Sequence, residues 1–196
     1  MATEDELKNM SPEQVAELQK ENCIFCHISE HKVPAKIVHE DDSSIAVLDI
    51  NPAARGHVLI LPKKHYQVMP QVPDREIGHL FKVAKSVAHA LLKSLGVQGA
   101  TVFVANGALA GQKAPHFMLH VIPRVDKDKI PLSLPKKSIS PKELQMIRER
   151  LAPRIKHHLG YEIRSAGKAE AVKEKKAVDV PKKDGDILDK VSGMFK

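Results

Sequence analysis

Two stretches carry side chains able to do chemistry: His116-Phe117-Met118-Leu119-His120 with the loop before it, and Cys23-x-x-Cys26. In an extended segment side chains alternate faces, so Phe117, Leu119 and Val121 point one way, and His116, Met118 and His120 the other. The apolar set reads as core. The imidazoles then stand beside Gly107-Ala108-Leu109-Ala110-Gly111-Gln112-Lys113, a loop that offers backbone N–H groups and an ammonium. Imidazoles, amides and a lysine together suit a phosphate. On the strand alone, two outward histidines serve equally well as ordinary surface residues. Cys23-x-x-Cys26 supplies two thiols from one short turn, which is half of a tetrahedral zinc site and equally a redox pair.

These residues need a scaffold, and the apolar pattern predicts one. Ser11-Pro12-Glu13-Gln14 is a helix start with a capping box, for a helix running to about Lys20. From Cys23 to Arg124 the texture is that of strands. Ser44–Asp49 and His57–Leu61 flank the turn-rich Asn51-Pro52-Ala53-Ala54-Arg55-Gly56, which predicts an antiparallel pair. A long helix opens near Asp74 and closes at Gly96. Ile77, Leu80, Phe81, Ala84, Val87, Ala88, Leu91, Leu92 and Leu95 keep helical spacing along it, and that stripe reads as core. Strands Thr101–Ala105 and His116–Pro123 follow. Strands on either side of one amphipathic helix predict a compact α+β layer.

After Arg124 the pattern loosens. Ser140-Pro141-Lys142-Glu143 starts a second helix, with Leu144, Ile147, Leu151 and Ile155 on one face, a kink expected at Pro153 and an end at Gly160. Residues 165–185 read as a mobile Lys/Glu/Ala-rich linker, and Ile187, Leu188, Val191 and Phe195 as a short terminal amphipathic segment. Charge divides the same way. Residues 1–126 hold 13 Lys/Arg against 14 Asp/Glu, whereas residues 127–196 hold 18 against 10. The basic third could attract nucleic acid or an acidic partner, or serve as a solvated tail. The 196 residues contain no apolar run of about 18, so no membrane span is expected. The acidic start and the scarcity of cysteine read as a cytoplasmic protein.

The residues around the chemistry resemble the histidine triad (HIT) superfamily, whose signature is His-x-His-x-His followed by two apolar residues. The resemblance runs through Ile24-Phe25-Cys26-His27-Ile28, Val33-Pro34-Ala35-Lys36, Leu48-Asp49-Ile50-Asn51-Pro52, Gly56–His65, Ala110-Gly111-Gln112 and Ile122-Pro123-Arg124. It spans about residues 22–126. The domain reading is therefore a helical appendage (1–21), a HIT-like domain (22–126), a helical C-terminal extension (127–163) and a basic tail (164–196).

The resemblance implies an antiparallel sheet packed with helices, assembled as a homodimer, that binds a nucleoside mono- or polyphosphate. Phe25 and Ile28 would line the base pocket, and Asp49 would hold the ribose hydroxyls. The loop Asn106–Lys113, with Gly111 and Gln112, would contact the phosphate together with His57 and His120, and Met118 would pack under the ligand. Many relatives carry a polar residue where this chain has Ala105, and a small hydroxyl residue where it has Lys113, which could supply charge instead. The resemblance also completes the metal reading: a structural Zn²⁺ held by Cys23, Cys26, His65 and His116.

The middle histidine of the family attacks phosphorus, and its place here is Met118. A thioether is a soft donor, poorly matched to phosphorus, and has no proton to exchange. Three functions remain open. One is a nucleotide binder with little or no hydrolase activity. Another is a phosphoramidate or dinucleoside polyphosphate hydrolase or transferase that works without a covalent intermediate, using His120 or His57 as acid or base. The third is an interaction module acting through the basic C-terminal region.

Overall fold

The computed structural model describes residues 10–131 and 134–160, which fall in two units, up to Ile130 and from Pro131 onward. The linker and the terminal amphipathic segment expected beyond residue 160 lie outside the described residues.

Helix α1, Pro12–Glu21, opens as the capping box predicts. Ser11 Oγ accepts from the Gln14 N–H at 3.3 Å, and Gln14 Oε1 accepts from the Ser11 N–H at 2.8 Å. Ile24–Ser29 is a helix, α2, where the sequence reading expected only a short turn within a strand-rich stretch. Short apolar runs do not separate helix from strand by pattern. The helical turn matters for the site, because it brings the two cysteines onto one side, with the His27 N–H donating to the Cys23 carbonyl.

Five strands form one antiparallel sheet: β1 Ile37–Glu40, β2 Ser44–Leu48, β3 Val58–Pro62, β4 Gly99–Phe103 and β5 Leu119–Arg124. Their order is β1-β2-β3-β5-β4, which puts β5 between β3 and β4. The expected pair of β2 and β3 is present, with Val47 opposite Leu59. Strand β1 is exposed along its length and gives no alternation to read in the sequence.

Helix α3, Asp74–Ser94, packs on one face of the sheet. Leu80, Val83, Ala84, Val87 and Leu91 meet Val58, Ile60, Phe117, Leu119 and Val121 there. Phe81 and Leu95, expected in that core, are about half exposed and lie outside it. The opposite face is also buried. Ile45, Val47, Leu59 and Leu61 pack there with Met118 under Phe25, Ile28 and Ala35. The alternation around His116 is therefore correct, but the face away from α3 is a second core and not an open surface.

Gly56 sits at φ 92° just before His57, and a Cβ there would lie 2.6 Å from Leu95 Cδ1. Glycine is thus what lets the β2–β3 connector pass against α3 and deliver His57. In the second unit, helix α4, Pro141–Leu159, starts at Ser140, runs on through Pro153 and ends at Gly160 with φ 70°. No described helix is long and apolar enough to cross a membrane.

Candidate functional site

Cys23 and Cys26 on α2, His65 just past β3 and His116 at the entry to β5 place one ligand atom each within 4.8 Å of one another. His116 Nδ1 lies 3.4 Å from Cys23 Sγ and 3.6 Å from Cys26 Sγ, and His65 Nδ1 lies 3.2 Å from Cys26 Sγ. The other His116 nitrogen, Nε2, is 3.0 Å from the Pro62 carbonyl, to which only an N–H can donate. That bond fixes the tautomer and leaves the Nδ1 lone pair facing the thiols, the arrangement that orients metal-binding imidazoles. His65 Nε2 is buried with no hydrogen-bond partner among the described residues.

Burial dominates the electrostatics here. It pushes the Cys26 thiol up to about 12, with Cys23 adding to the shift, and holds His116 down at about 4 against the opposing Pro62 bond. Burial also lowers His65. Two thiols and two neutral imidazoles in a dry pocket are a donor set that a soft divalent cation would neutralise.

The same shift makes a pH prediction. His116 takes a proton near its ordinary 6.5 when unfolded and at about 4 when folded, so the unfolded chain binds the proton first. The His116 contribution is expected to be level between about pH 6.5 and 8 and to fall as pH drops toward 4, by up to about 3 kcal/mol. Urea titrations across that range measure it. A bound metal steepens the same fall, because protons compete for its ligands.

The second cluster joins Asp49 at the end of β2, His57 before β3 and His120 on β5. His57 is almost wholly buried. Its Nε2 lies 3.1 Å from His120 Nδ1, and its Nδ1 accepts from the Ala53 N–H at 3.2 Å. A backbone N–H can only donate, so the neutral His57 carries its proton on Nε2 and passes it toward His120 Nδ1. The proton of His120 is then on Nε2. Asp49 Oδ2, 3.3 Å from His57 Nδ1, is in place to partner a His57 that takes a second proton. Burial lowers both histidines from their ordinary value, and each also feels Asp49 pulling the other way.

His120 opens on a cavity of about 480 Å³. Phe25, Asp49, Gly111, Gln112, Lys113, Met118 and His120, all expected at the site, line it. His57 reaches it through His120. Ile28 packs in the second core instead, and Asn106 Oδ1 accepts from the Met69 N–H at 2.9 Å.

Phe103, Leu59 and Asn51 also line the cavity, and the sequence reading missed them. Phe103 and Leu59 flank His120 across β4 and β5 and across β3 and β5, which only the strand register reveals. The Phe103 ring lies 5.7 Å from the His120 ring. Gln112, expected on the phosphate, spends its side chain on the loop. Its Oε1 accepts from the Gly107 N–H at 2.8 Å, and its Nε2 donates to the Gln67 and Ala114 carbonyls at 2.6 and 2.9 Å. Gly107 and Gly111, at φ 96° and 88°, allow the tight turn that this tie closes.

The HIT domain family model matches residues 30–127. An uncharacterised HIT-like protein of Methanocaldococcus jannaschii is 43% identical over 106 residues, covering 54% of this chain and 81% of the relative. An adenosine 5′-monophosphoramidase of Schizosaccharomyces pombe is 31% identical over 136 residues, covering 69% of this chain and 99% of the relative. Among solved structures, a zinc-bound histidine triad family protein from Mycobacterium smegmatis aligns with a TM-score of 0.55 at 29% identity, over 70% of this chain and 99% of that one.

Proposed function

The chain belongs to the HIT domain family, and from that premise we propose that it binds a nucleoside phosphate while lacking the family's covalent chemistry. One observation carries the reading: every imidazole nitrogen near the cavity but one is committed. His116 gives Nε2–H to Pro62 and turns Nδ1 to the thiols. His57 uses both nitrogens, and His120 receives its neighbour's proton at Nδ1. What remains is the Nε2–H of His120, a donor for a phosphate oxygen and, while protonated, no nucleophile. Met118 occupies the cavity wall where the family places the attacking histidine, and a thioether does not replace it.

The ligand we favour is an adenosine 5′-phosphate, by analogy with the Schizosaccharomyces pombe relative. Phe25 flanks the base, Asp49 takes the ribose hydroxyls, and His120 and Lys113 take the phosphate. Cys23, Cys26, His65 and His116 would hold a structural Zn²⁺, a reading supported by the four ligand atoms that lie within 4.8 Å of one another and by the zinc-bound relative. Zinc would neutralise the thiolates and pin the entry of β5 to α2. We also take the protein to be a cytoplasmic homodimer.

A second reading is favoured by the proton path itself. Asp49, His57 and His120 could pass a proton to a leaving group while water attacks directly, with His120 as general acid.

Calorimetric titration with AMP at several pH values tests the binding mode. A phosphate on His120 raises the pKa of that histidine, so affinity should tighten as pH falls from about 7.5 to 5.5, by up to about tenfold per unit. The phosphate itself titrates near pH 6, so the comparison is with His120→Ala. That variant should bind about 10- to 100-fold more weakly and lose the protein's share of the pH dependence. Identical pH profiles for the two proteins would remove His120 from the phosphate site.

A further inference from the structure

Helix α4 belongs to none of the chemistry above and lies beyond the family match. Leu144, Ile147, Leu151, Ile155 and Leu159 recur at spacings of three and four residues along it, so they form one stripe. Each is 40–54% exposed. At 1.5 Å per residue the stripe is about 22 Å long. Leaving five large aliphatic side chains in water on one helix face costs solubility without return, unless something covers them.

The charges around the stripe say what the cover is like. Residues 134–160 hold seven Lys/Arg against two Glu. Arg150 and Arg154 stand beside Ile147 and Leu151 and share a surface depression of about 510 Å³ with them. Neither arginine makes an ion pair or hydrogen bond among the described residues, whereas Glu149 accepts from Gln145 Nε2 at 2.6 Å.

We propose that this face of α4 is a docking surface for an acidic amphipathic helix of a partner protein. Its apolar residues at three- and four-residue spacing would interdigitate with the stripe, and its flanking carboxylates would meet Arg150 and Arg154. The arrangement follows the logic of helix pairs in which an apolar seam gives affinity and flanking charges choose the partner. A second copy of α4 does not fit, because two such basic helices repel. A nucleic acid would neutralise the arginines and leave the stripe in water. A membrane surface is the poorer fit, since residues 134–160 contain no Trp, Tyr or Phe to sit at the interface.

The test uses the full chain and a fluorescein-labelled synthetic helix of about three heptads, with Leu at the seam and Glu at the flanks. A sister peptide carries Lys at the flanks. Fluorescence anisotropy should show saturable binding of the Glu peptide and none of the Lys peptide at the same concentrations. The double variant R150E/R154E should reverse that order. Leu151→Ser should weaken the Glu peptide by about 30-fold. The helical signal of each variant at 222 nm is compared with the parent, and because these side chains are exposed it should be unchanged. The proposal is overturned if the two peptides bind alike, or if charge reversal leaves their order intact. It is also overturned if Leu151→Ser acts only by dissociating a homodimer in sedimentation. Stronger binding to phosphatidylserine vesicles or to a single-stranded RNA, undisplaced by the Glu peptide, would assign the face to those partners instead.

Discussion

Cys26→Ser is expected to strip the protein of stoichiometric zinc and to lower its melting temperature by more than about 10 °C. The cluster sets this scale. Cys26 is the thiol closest to His65, 3.2 Å from its Nδ1, and it also lies 3.6 Å from His116 Nδ1, so it touches both imidazoles. A serine hydroxyl is a hard, neutral donor, and the remaining thiol and two imidazoles lose the charge balance that favours zinc. A metal present at 100 to 1,000 times its dissociation constant stabilises the fold by about 3–4 kcal/mol, and that contribution disappears with the metal. For a domain of this size each kcal/mol moves the midpoint by about 4 °C or more. Elemental analysis of the purified chain and scanning calorimetry read the two effects separately. Zinc retained at one per chain in the variant would remove Cys26 from the ligand set, and a parent protein without stoichiometric zinc, or an unchanged midpoint, would remove the structural metal.

Met118→His is expected to have the largest effect on activity. It places an imidazole on the cavity wall beside His120 without disturbing the Asp49–His57–His120 chain, because Met118 takes part in none of its hydrogen bonds. Its nitrogen can attack the phosphorus of an adenosine 5′-phosphoramidate, breaking the P–N bond. A proton from His120 Nε2 leaves with the amine, and the adenylyl group stays on the protein until water releases AMP. The removal of a nucleophile from an assembled site costs up to about 10⁶-fold in turnover, so restoring one in a site not tuned for it should raise the rate by at least about 10³-fold. Intact mass after a brief acid-free quench should show the adenylylated variant and an unmodified parent. A variant as inert as the parent would mean that the cavity does not hold the phosphate where residue 118 can reach it.

Much of this site is legible in the sequence, because local pattern carries it. The alternation of Phe117, Leu119 and Val121 correctly assigns the core face, and the Cys23-x-x-Cys26 spacing marks one donor pair. The α3 stripe places the long helix, and the capping residues at Ser11 and Ser140 place two helix starts within a residue. What the sequence withholds depends on pairing between distant segments. Phe103 and Leu59 enter the cavity only because β4 and β3 both pair with β5 at His120. The face carrying Met118 is a second core only because α2 covers it, and the six-residue run that makes α2 looks as much like a strand. Gln112 offers a similar lesson. Its type suits a phosphate contact, but the positive-φ glycines on either side of the turn bring its amide back onto its own loop.

The central claim is a cavity that holds a nucleoside phosphate and does not turn it over. Phosphorus NMR of adenosine 5′-phosphoramidate with near-stoichiometric full-length protein reads both halves at once. The phosphoramidate resonance should shift or broaden saturably as protein is added, with no AMP resonance growing over hours. A growing AMP signal, or a phosphoramidate line that the protein leaves untouched, would contradict it.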